Sequence, residues 1–355
     1  MTEIKIGVIA MLSGDSAQSG RNMVDAARLA VEEACGLQGI RLGRQRAVVS
    51  LIVEDDRSSP EGAMNAARKL IYQDDVVALI GPQFSRNAIP VARLAEDEGV
   101  LMICPMSTHP DTTAGKTLVF RIPYLDTFQG QVLARFARHE LHCDTASVLY
   151  DIAGVYNCTL AEVFKNTFEE TGGKVTAYES YTTDDNQDFS KQLACIAEAM
   201  PGVLLLPNYA SDVLLQVQQA RAAGITAILL GGDGWDTGRF TTEPAFDGSF
   251  SCRHWHPEIA NTEAKHFIAS FQHSYKRLPG DVAATTYDAV RLLLTAIEKG
   301  QSRDPEVIRD QLYDLESFSG VTGTIRYDGV GDPTKSAVIV QIKDGRESFV
   351  TLVEP

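Results

Sequence analysis

Apolar positions along this chain switch between two spacings, short continuous runs and helical repeats, and the switching is regular. Ile4 to Ala10 is almost unbroken apolar sequence, as a strand buried on both faces of a parallel sheet is. A polar loop from Ser13 to Gly20 follows, and then Met23, Ala27, Ala30, Val31 and Ala34 recur at helical spacing, predicting a helix from about Arg21 to Cys35. The alternation continues with a strand at Val48–Glu54, a helix opened by Pro60 behind Ser58 or Ser59, a strand at Val76–Ile80 broken by Gly81-Pro82, a helix at Arg86–Glu98 and a strand at Val100–Ile103. Repeated βα units make a parallel sheet covered by helices on both sides.

After Thr117–Arg121 the pattern restarts. Helices at Asp126–Leu141, Cys158–Thr171, Phe189–Met200 and Ser211–Ala223 alternate with strands at Thr145–Tyr150, Lys174–Ser180, Gly202–Leu206 and Ile228–Leu230. The remaining sequence supplies helices at Thr262–Tyr275, Val282–Glu298 and Asp304–Tyr313 but few strands, Gly323–Tyr327 and a terminal hairpin around Asp344-Gly345. It is too poor in strands to build a third domain. The expected fold is therefore α/β, two doubly wound parallel-sheet lobes joined by a three-crossing hinge. Lobe 1 takes residues 1–121 and 254–327 and lobe 2 takes 124–250 and 328–355, with crossings near 121–124, 250–254 and 327–330.

Composition narrows the function. The 355 residues are 44% hydrophobic and carry a formal charge of −15, which suits a folded two-domain protein and disfavours nucleic acid and anionic membrane as partners. Apolar runs such as Val76–Ile80 and Val203–Pro207 are strand-sized, so no membrane insertion is expected. Met1-Thr2-Glu3 leads directly into the first strand without a basic region or signal-peptide core, which fits either a cytoplasmic chain or a mature form whose export leader has been removed. The six cysteines lack CxxC spacing; Cys252, His254 and His256 come nearest to a metal cluster, and a structural role is preferred for them. GxGxxG, GxxxxGK[ST] and GxSxG motifs are absent, so no cofactor, metal or catalytic residue is assigned.

Ligands of open parallel sheets bind beyond the C-terminal ends of the strands. Five loops fall there, Ser13–Gly20, Gly81–Arg86, Cys104–Pro110, Asp151–Asn157 and Gly231–Asp236. Ser85, just ahead of a helix, offers a hydroxyl and a backbone N–H to a carboxylate, or serves only as an N-cap. Thr108 offers the same pair of groups, or shapes a turn. Tyr156 and Tyr209 each follow a strand, where an aromatic face can close over an aliphatic ligand or simply fill space. Asp233, among glycines, suits an ammonium or a plain turn, and Trp235 is either a pocket wall or a loop anchor. Arg121 and Asp126 border the first crossing, where they reach the cleft or pair with each other. His109 is the one histidine beside a ligand loop.

With these residues in view, the chain resembles the type I periplasmic binding proteins, specifically the leucine/isoleucine/valine receptors of ABC transporters. The resemblance rests on Ile4-Lys5-Ile6-Gly7-Val8 with Ser13-Gly14 and Gly20, on Asp55-Asp56 followed by Ala66, Ala67 and Leu70, and above all on Ala78-Leu79-Ile80-Gly81-Pro82, Ser85, Glu98-Gly99-Val100 and Pro105-Met106-Ser107-Thr108. It implies that Ser85 binds a ligand carboxylate, that Thr108 contacts carboxylate and amino group, and that the Met106 carbonyl helps hold the ammonium. It further implies that Tyr156, Tyr209 and Asp233 complete the grip from the other lobe. Ser19 stands where such receptors carry an aromatic, and Phe84 and His109 also depart from the common pattern, so the α-amino-acid grip is expected and the side-chain preference is open.

The expected protein is a monomeric, extracytoplasmic solute-binding receptor of the periplasm or cell surface. It would capture an amino acid in the interlobe cleft and hand it to the membrane permease of an ABC transporter, without enzymatic activity. The rival reading is a cytoplasmic ligand sensor of the same fold binding a small amide, urea or a carboxylate.

Overall fold

The computed structural model describes residues 2–36, 38–182, 187–235, 238, 240–259 and 261–355. It divides into two compact units, unit 1 formed by Met1–Tyr124 with Trp255–Lys335 and unit 2 by Leu125–His254 with Ser336–Pro355.

In chain order, unit 1 begins with β1 (Thr2–Ala10), α1 (Ala17–Cys35), β2 (Ile40–Leu42), β3 (Gln45–Asp55), α2 (Pro60–Tyr72), β4 (Ala78–Ile80), α3 (Ser85–Asp97), β5 (Leu101–Cys104) and β6 (Val119–Arg121). Unit 2 follows with α4 (Asp126–Arg135), which ends in a π-helical turn at Phe136–Glu140, then β7 (Thr145–Asp151), α5 (Val155–Glu170), β8 (Lys174–Tyr181), α6 (Ser190–Ala199), β9 (Val203–Leu206), α7 (Ala210–Ala222), β10 (Ile228–Gly231) and β11 (Ser249–Arg253). The chain then returns to unit 1 for α8 (Thr262–Tyr275), α9 (Asp281–Gly300), α10 (Pro305–Tyr313), β12 (Phe318–Gly320) and β13 (Gly323–Ile325). It closes unit 2 with β14 (Ala337–Lys343) and β15 (Arg346–Val353).

The sheet of unit 1 runs β2-β3-β1-β4-β5-β6, parallel except for the β2–β3 hairpin. Its strands are apolar on both sides because helices cover both. Ile4, Ile6 and Val8 pack with Met23, Ala27 and Ala30 of α1 and with Phe267, Val290 and Leu293 of α8 and α9. On the opposite face Ile9, Leu79 and Met102 meet Ala63, Ala67 and Leu70 of α2 and Ala88, Val91 and Ala95 of α3. The alanine-rich faces let the helix backbones lie close to the sheet. Ser59 caps α2 by accepting from the Gly62 N–H at 3.1 Å, with Pro60 in the first turn.

The sheet of unit 2 runs β15-β14-β11-β10-β9-β7-β8, with β14 antiparallel to both neighbours. Three strands depart from the sequence reading. The short β2 and β12 are hairpin partners too brief to show a pattern. β11 reads Ser-Phe-Ser-Cys-Arg, yet Ser249 and Ser251 are fully buried in mid-sheet, so polarity concealed it. The last boundary between units falls after Lys335 rather than near 327–330, and His254 closes a unit 2 segment rather than opening a unit 1 segment.

Lys335 stays with unit 1 through a buried relay. Its Nζ donates to the Thr322 hydroxyl, which donates to Asp288 Oδ2 at 2.6 Å. Asp288 also accepts the Val321 and Thr322 N–H groups at 2.7 and 2.8 Å. Burial pushes the Asp288 carboxyl up against the opposing charge of Lys335, and pushes the Lys335 ammonium down to about 8 against the pull of Asp288 and Asp281. Removing one partner of such a pair strands the other. Lys335→Met is therefore expected to cost about 3 kcal/mol at pH 7, and combining it with Asp288→Asn to cost less, as urea unfolding would show. Between pH 8 and the ordinary lysine value of 10.5 the unfolded chain binds more protons than the folded one. This lysine thus makes stability rise with pH across that window, its contribution being lost as pH falls through about 8. Melting curves of the unsubstituted protein should carry that slope and those of Lys335→Met should lack it.

Candidate functional site

A doubly wound sheet opens a crevice where neighbouring strands send their crossovers to opposite faces. In unit 1 the point lies between β1 and β4, and in unit 2 between β7 and β9. The loops following these strands, with the helix starts they lead into, hold Ser19, Ser85, Tyr156 and Tyr209, and those of the adjoining β5 and β10 hold Met106, Thr108, Asp233 and Trp235.

In unit 1, Gly81 follows β4 at φ +95°, and a Cβ there would stand 2.3 Å from the Ile9 carbonyl oxygen, so the turn into α3 tolerates no side chain. Ser85 is the first residue of α3 rather than its cap, a position held by Phe84. Its buried hydroxyl accepts from Ser107 Oγ at 3.0 Å and from the His109 N–H at 3.4 Å, and Ser107 shares a further hydrogen bond with Thr112 at 2.7 Å. Thr108 is buried beside them, and Met106 receives the Thr285 hydroxyl on its sulfur at 3.3 Å. Ser19 lies in the first turn of α1, not in the preceding loop, and accepts from Gln83 Nε2 at 2.8 Å. Ser85, Met106 and Thr108 are thus brought together at one end of the sheet, at the N-terminus of a 13-residue helix.

Arg121 holds this cluster in place. It is wholly buried at the end of β6, and its Nε donates to Asp332 at 2.6 Å. Its remaining nitrogens donate to the carbonyls of Ser107 at 2.8 Å and His109 at 2.9 Å and to the Thr113 hydroxyl at 2.6 Å. The guanidinium therefore pairs with Asp332 inside unit 1 and clamps the 105–113 loop by its carbonyls. Burial lowers the His109 imidazole from its ordinary value, Asp111 opposing and Arg121 reinforcing. Because His109 Nδ1 accepts the Asp111 N–H at 3.1 Å, the neutral ring carries its proton on Nε2. The acidic run after β3 also serves the backbone. Asp55 accepts the N–H groups of Leu12 and Arg57, each at 2.9 Å, and buried Asp56 accepts Ser58 N–H at 2.7 Å and Asn87 Nδ2 at 2.9 Å.

In unit 2, α5 begins before the sequence reading placed it, which brings Tyr156 into its first turn, while Tyr209 caps α7. The two rings stack with centroids 5.1 Å apart. Asn208, fully buried before α7, ties the loops together: its Oδ1 accepts from Asp151 N–H and Asn157 Nδ2, and its Nδ2 donates to the Leu149 carbonyl and Gln216.

Asp233 follows β10 and is 9% exposed. Gln129 of α4 grips it twice, donating to Oδ1 at 2.7 Å and accepting the Asp233 N–H at 2.9 Å. His254 Nε2 lies 3.0 Å from Oδ2. Tyr156 accepts the Gly234 N–H at 3.1 Å, and a Cβ on Gly232 would come within 2.4 Å of both Gln129 Oε1 and the Tyr156 hydroxyl, so the glycines permit this close loop. Burial would raise the Asp233 carboxyl, but the hydrogen bond and charge of His254, with Gln129 and Tyr156, outweigh it and hold the group below its usual range. Tyr156 is pushed well above the ordinary phenol value by burial and by Asp233, and stays neutral.

Trp235 is fully buried and donates to the Leu206 carbonyl at 2.9 Å while its ring packs edge-on against Phe240 and Phe246. It anchors the loop in the core, which is the second of the two roles left open for it. Asp236, at the end of the same loop, lies outside the described residues. His254, read from sequence with Cys252 and His256 as the nearest approach to a metal cluster, is instead the partner of Asp233, and no group of metal-holding side chains occurs among the described residues. Gln129, Asn208 and Asp332 carry no local sequence signal at all, since their partners lie far away in the chain.

Comparison with known proteins agrees with this geometry. The family model described as periplasmic binding protein matches residues 3–347. The leucine-, isoleucine-, valine-, threonine- and alanine-binding protein of Pseudomonas aeruginosa is 29% identical over 335 residues, covering 93% of this chain and 87% of that protein. A leucine-binding protein from Thermotoga maritima superposes with a TM-score of 0.93 at 33% identity over 99% of both chains. The branched-chain amino acid transporter substrate-binding protein of Streptococcus pneumoniae, solved with isoleucine, gives 0.91 at 26% identity over 100% of both chains. With the type I fold shared along its whole length and 3–347 matched, the chain belongs to the periplasmic binding protein family, a family of solute-binding receptors rather than enzymes.

Proposed function

We propose that this receptor captures an α-amino acid outside the cytoplasm and passes it to the membrane permease of an ABC transporter. The observation that carries the reading is a buried carboxylate, Asp233 after β10, held ionised beside two stacked tyrosines that follow β7 and β9. A charged group is kept so only where a partner charge or a strong hydrogen bond compensates its burial. His254 and Gln129 supply that compensation in the free protein, a ligand ammonium would add a charge-assisted bond to the same carboxylate, and the Tyr156 and Tyr209 faces suit an aliphatic side chain. In unit 1 the start of α3 with Ser85 and Thr108 offers donors to a carboxylate, as helix N-termini do for anions. The branched-chain and small aliphatic amino acids named for its relatives define the first ligands to test. No helix of the described residues is long and apolar enough to cross a membrane, in keeping with a receptor that meets its permease at the membrane surface.

The competing reading is a carboxylate ligand without an amine, favoured by the fact that Asp233 already has His254 as a partner. Calorimetric titration of ligand-stripped protein with the twenty amino acids and with 4-methylpentanoate, the deaminated analogue of leucine, separates the two. Under the amino-acid reading leucine or a close relative saturates one site, and Asp233→Asn weakens it by roughly 30-fold or more. Tight binding of 4-methylpentanoate with no amino acid bound would replace that reading by the carboxylate one. Arg121→Lys, which cannot reproduce the fork of bonds to the 105–113 loop, is expected to lower the melting temperature and to weaken amino acid and deaminated analogue alike. Selective loss of one of them would show that Arg121 acts on the ligand and not through the loop.

A further inference from the structure

Asp233 has a counter-charge before any ligand arrives, and it sits on a titratable ring. His254 is fully buried, at the end of β11, with its Nε2 3.0 Å from Asp233 Oδ2, while Gln129 occupies Oδ1. Tyr156 of α5 is neutral, and Asp126 of α4 acts on the Tyr156 hydroxyl. Tyr209, at the start of α7, stacks on Tyr156. Arg253, next to His254 in the chain, turns to the Trp235 carbonyl at 2.6 Å and to Glu347 of β15 at 3.7 Å. His254 is thus the one cationic side chain seen within hydrogen-bond reach of the Asp233 carboxylate among the described residues.

We propose that His254 is a positioning and specificity-determining residue of the receptor, whose protonated ring competes with the ligand ammonium for Asp233 and gives up its second proton when an amino acid binds. The inference rests on the amino-acid reading above. With His254 protonated, Asp233 and His254 sum to zero charge and a third, positive group gains little there. With His254 neutral, the carboxylate stands uncompensated and takes the ammonium. The ring need not move: Nε2–H donates to Oδ2 in both states, and Nδ1 is the nitrogen that gains or loses the proton. Because linkage is reciprocal, a proton that opposes the ligand is opposed by it equally. Capture of a zwitterion is therefore tighter when His254 is neutral and weaker when it is protonated. A ligand lacking the amine shows no such loss, so the same histidine shifts selectivity toward plain carboxylates as pH falls.

The test is calorimetric titration of ligand-stripped full-length protein with L-leucine and with 4-methylpentanoate at pH 5.5 and 7.5, in pairs of buffers with contrasting ionisation enthalpies. Expected for the unsubstituted protein are a leucine affinity roughly fivefold or more weaker at pH 5.5 and net proton release on leucine binding, with neither effect for 4-methylpentanoate. His254→Gln keeps a donor for Asp233 but cannot ionise, and is expected to bind leucine with a flat pH profile. Leucine binding that is pH-independent and releases no proton in the unsubstituted protein overturns the proposal, as does a pH dependence that persists in His254→Gln. The buffer series on the unsubstituted protein decides the matter even if that variant does not fold. Leucine affinity unchanged in Asp233→Asn, or no amino acid bound at either pH, overturns the amino-acid reading itself and this proposal with it. By contrast, loss of binding in Asp233→Asn with a flat wild-type profile overturns only the role of His254.

Discussion

Parallel strands can be joined only by a crossover, and that constraint organises everything else in this protein. Most crossovers carry a helix, so β1, β3, β4, β7, β8 and β9 each lead through a loop into a helix N-terminus, while the loops after β5 and β10 reach the next strand through short 3-10 turns. Where the crossovers change face, between β1 and β4 in unit 1 and between β7 and β9 in unit 2, the loops splay and leave polar backbone and side chains at the end of an otherwise apolar layer. The residues singled out from sequence lie at strand ends on and beside these two points, although they are drawn from segments more than a hundred residues apart.

Backbone at such loops has to be satisfied without the help of a ladder, and the protein does so with buried polar side chains that each make several bonds. Arg121 binds three loop groups and a carboxylate, Asn208 four partners on β7, α5 and α7, and Asp55 and Asp56 the amides that follow β1 and β3. These are interactions of precision as much as of stability. A guanidinium whose donors are all directed cannot shift without breaking several bonds together, so the loop carrying Met106 and Thr108 is held in one shape before a ligand arrives.

Asp233 follows the same logic with a different outcome. Its carboxylate is buried, bonded on both oxygens and kept ionised, yet one of its partners is a histidine, whose charge is itself conditional. On the reading proposed above, a receptor built on that pair would recognise an ammonium against an internal competitor, and affinity would be traded for a response to proton concentration through one contact in unit 2.

The division of the chain into βα repeats, the parallel sheets and most helix positions were legible from residue order, because buried strands and amphipathic helices write their periods locally. Ser85, Thr108, Tyr156, Tyr209 and Asp233 could also be singled out, since they follow strand ends that the pattern locates. What residue order could not show were partners separated by long stretches of chain. Gln129 with Asp233, Arg121 with Asp332 and Lys335 with Asp288 become neighbours only once the sheets are assembled. The buried serines of β11 hid a central strand behind polar composition, and Trp235, an open choice between pocket wall and anchor, was settled by the aromatic core that closes around it. Local periodicity reports which face of an element is buried; it carries no information on which distant polar group will meet it there, and at a binding site that meeting is what sets charge, tautomer and shape.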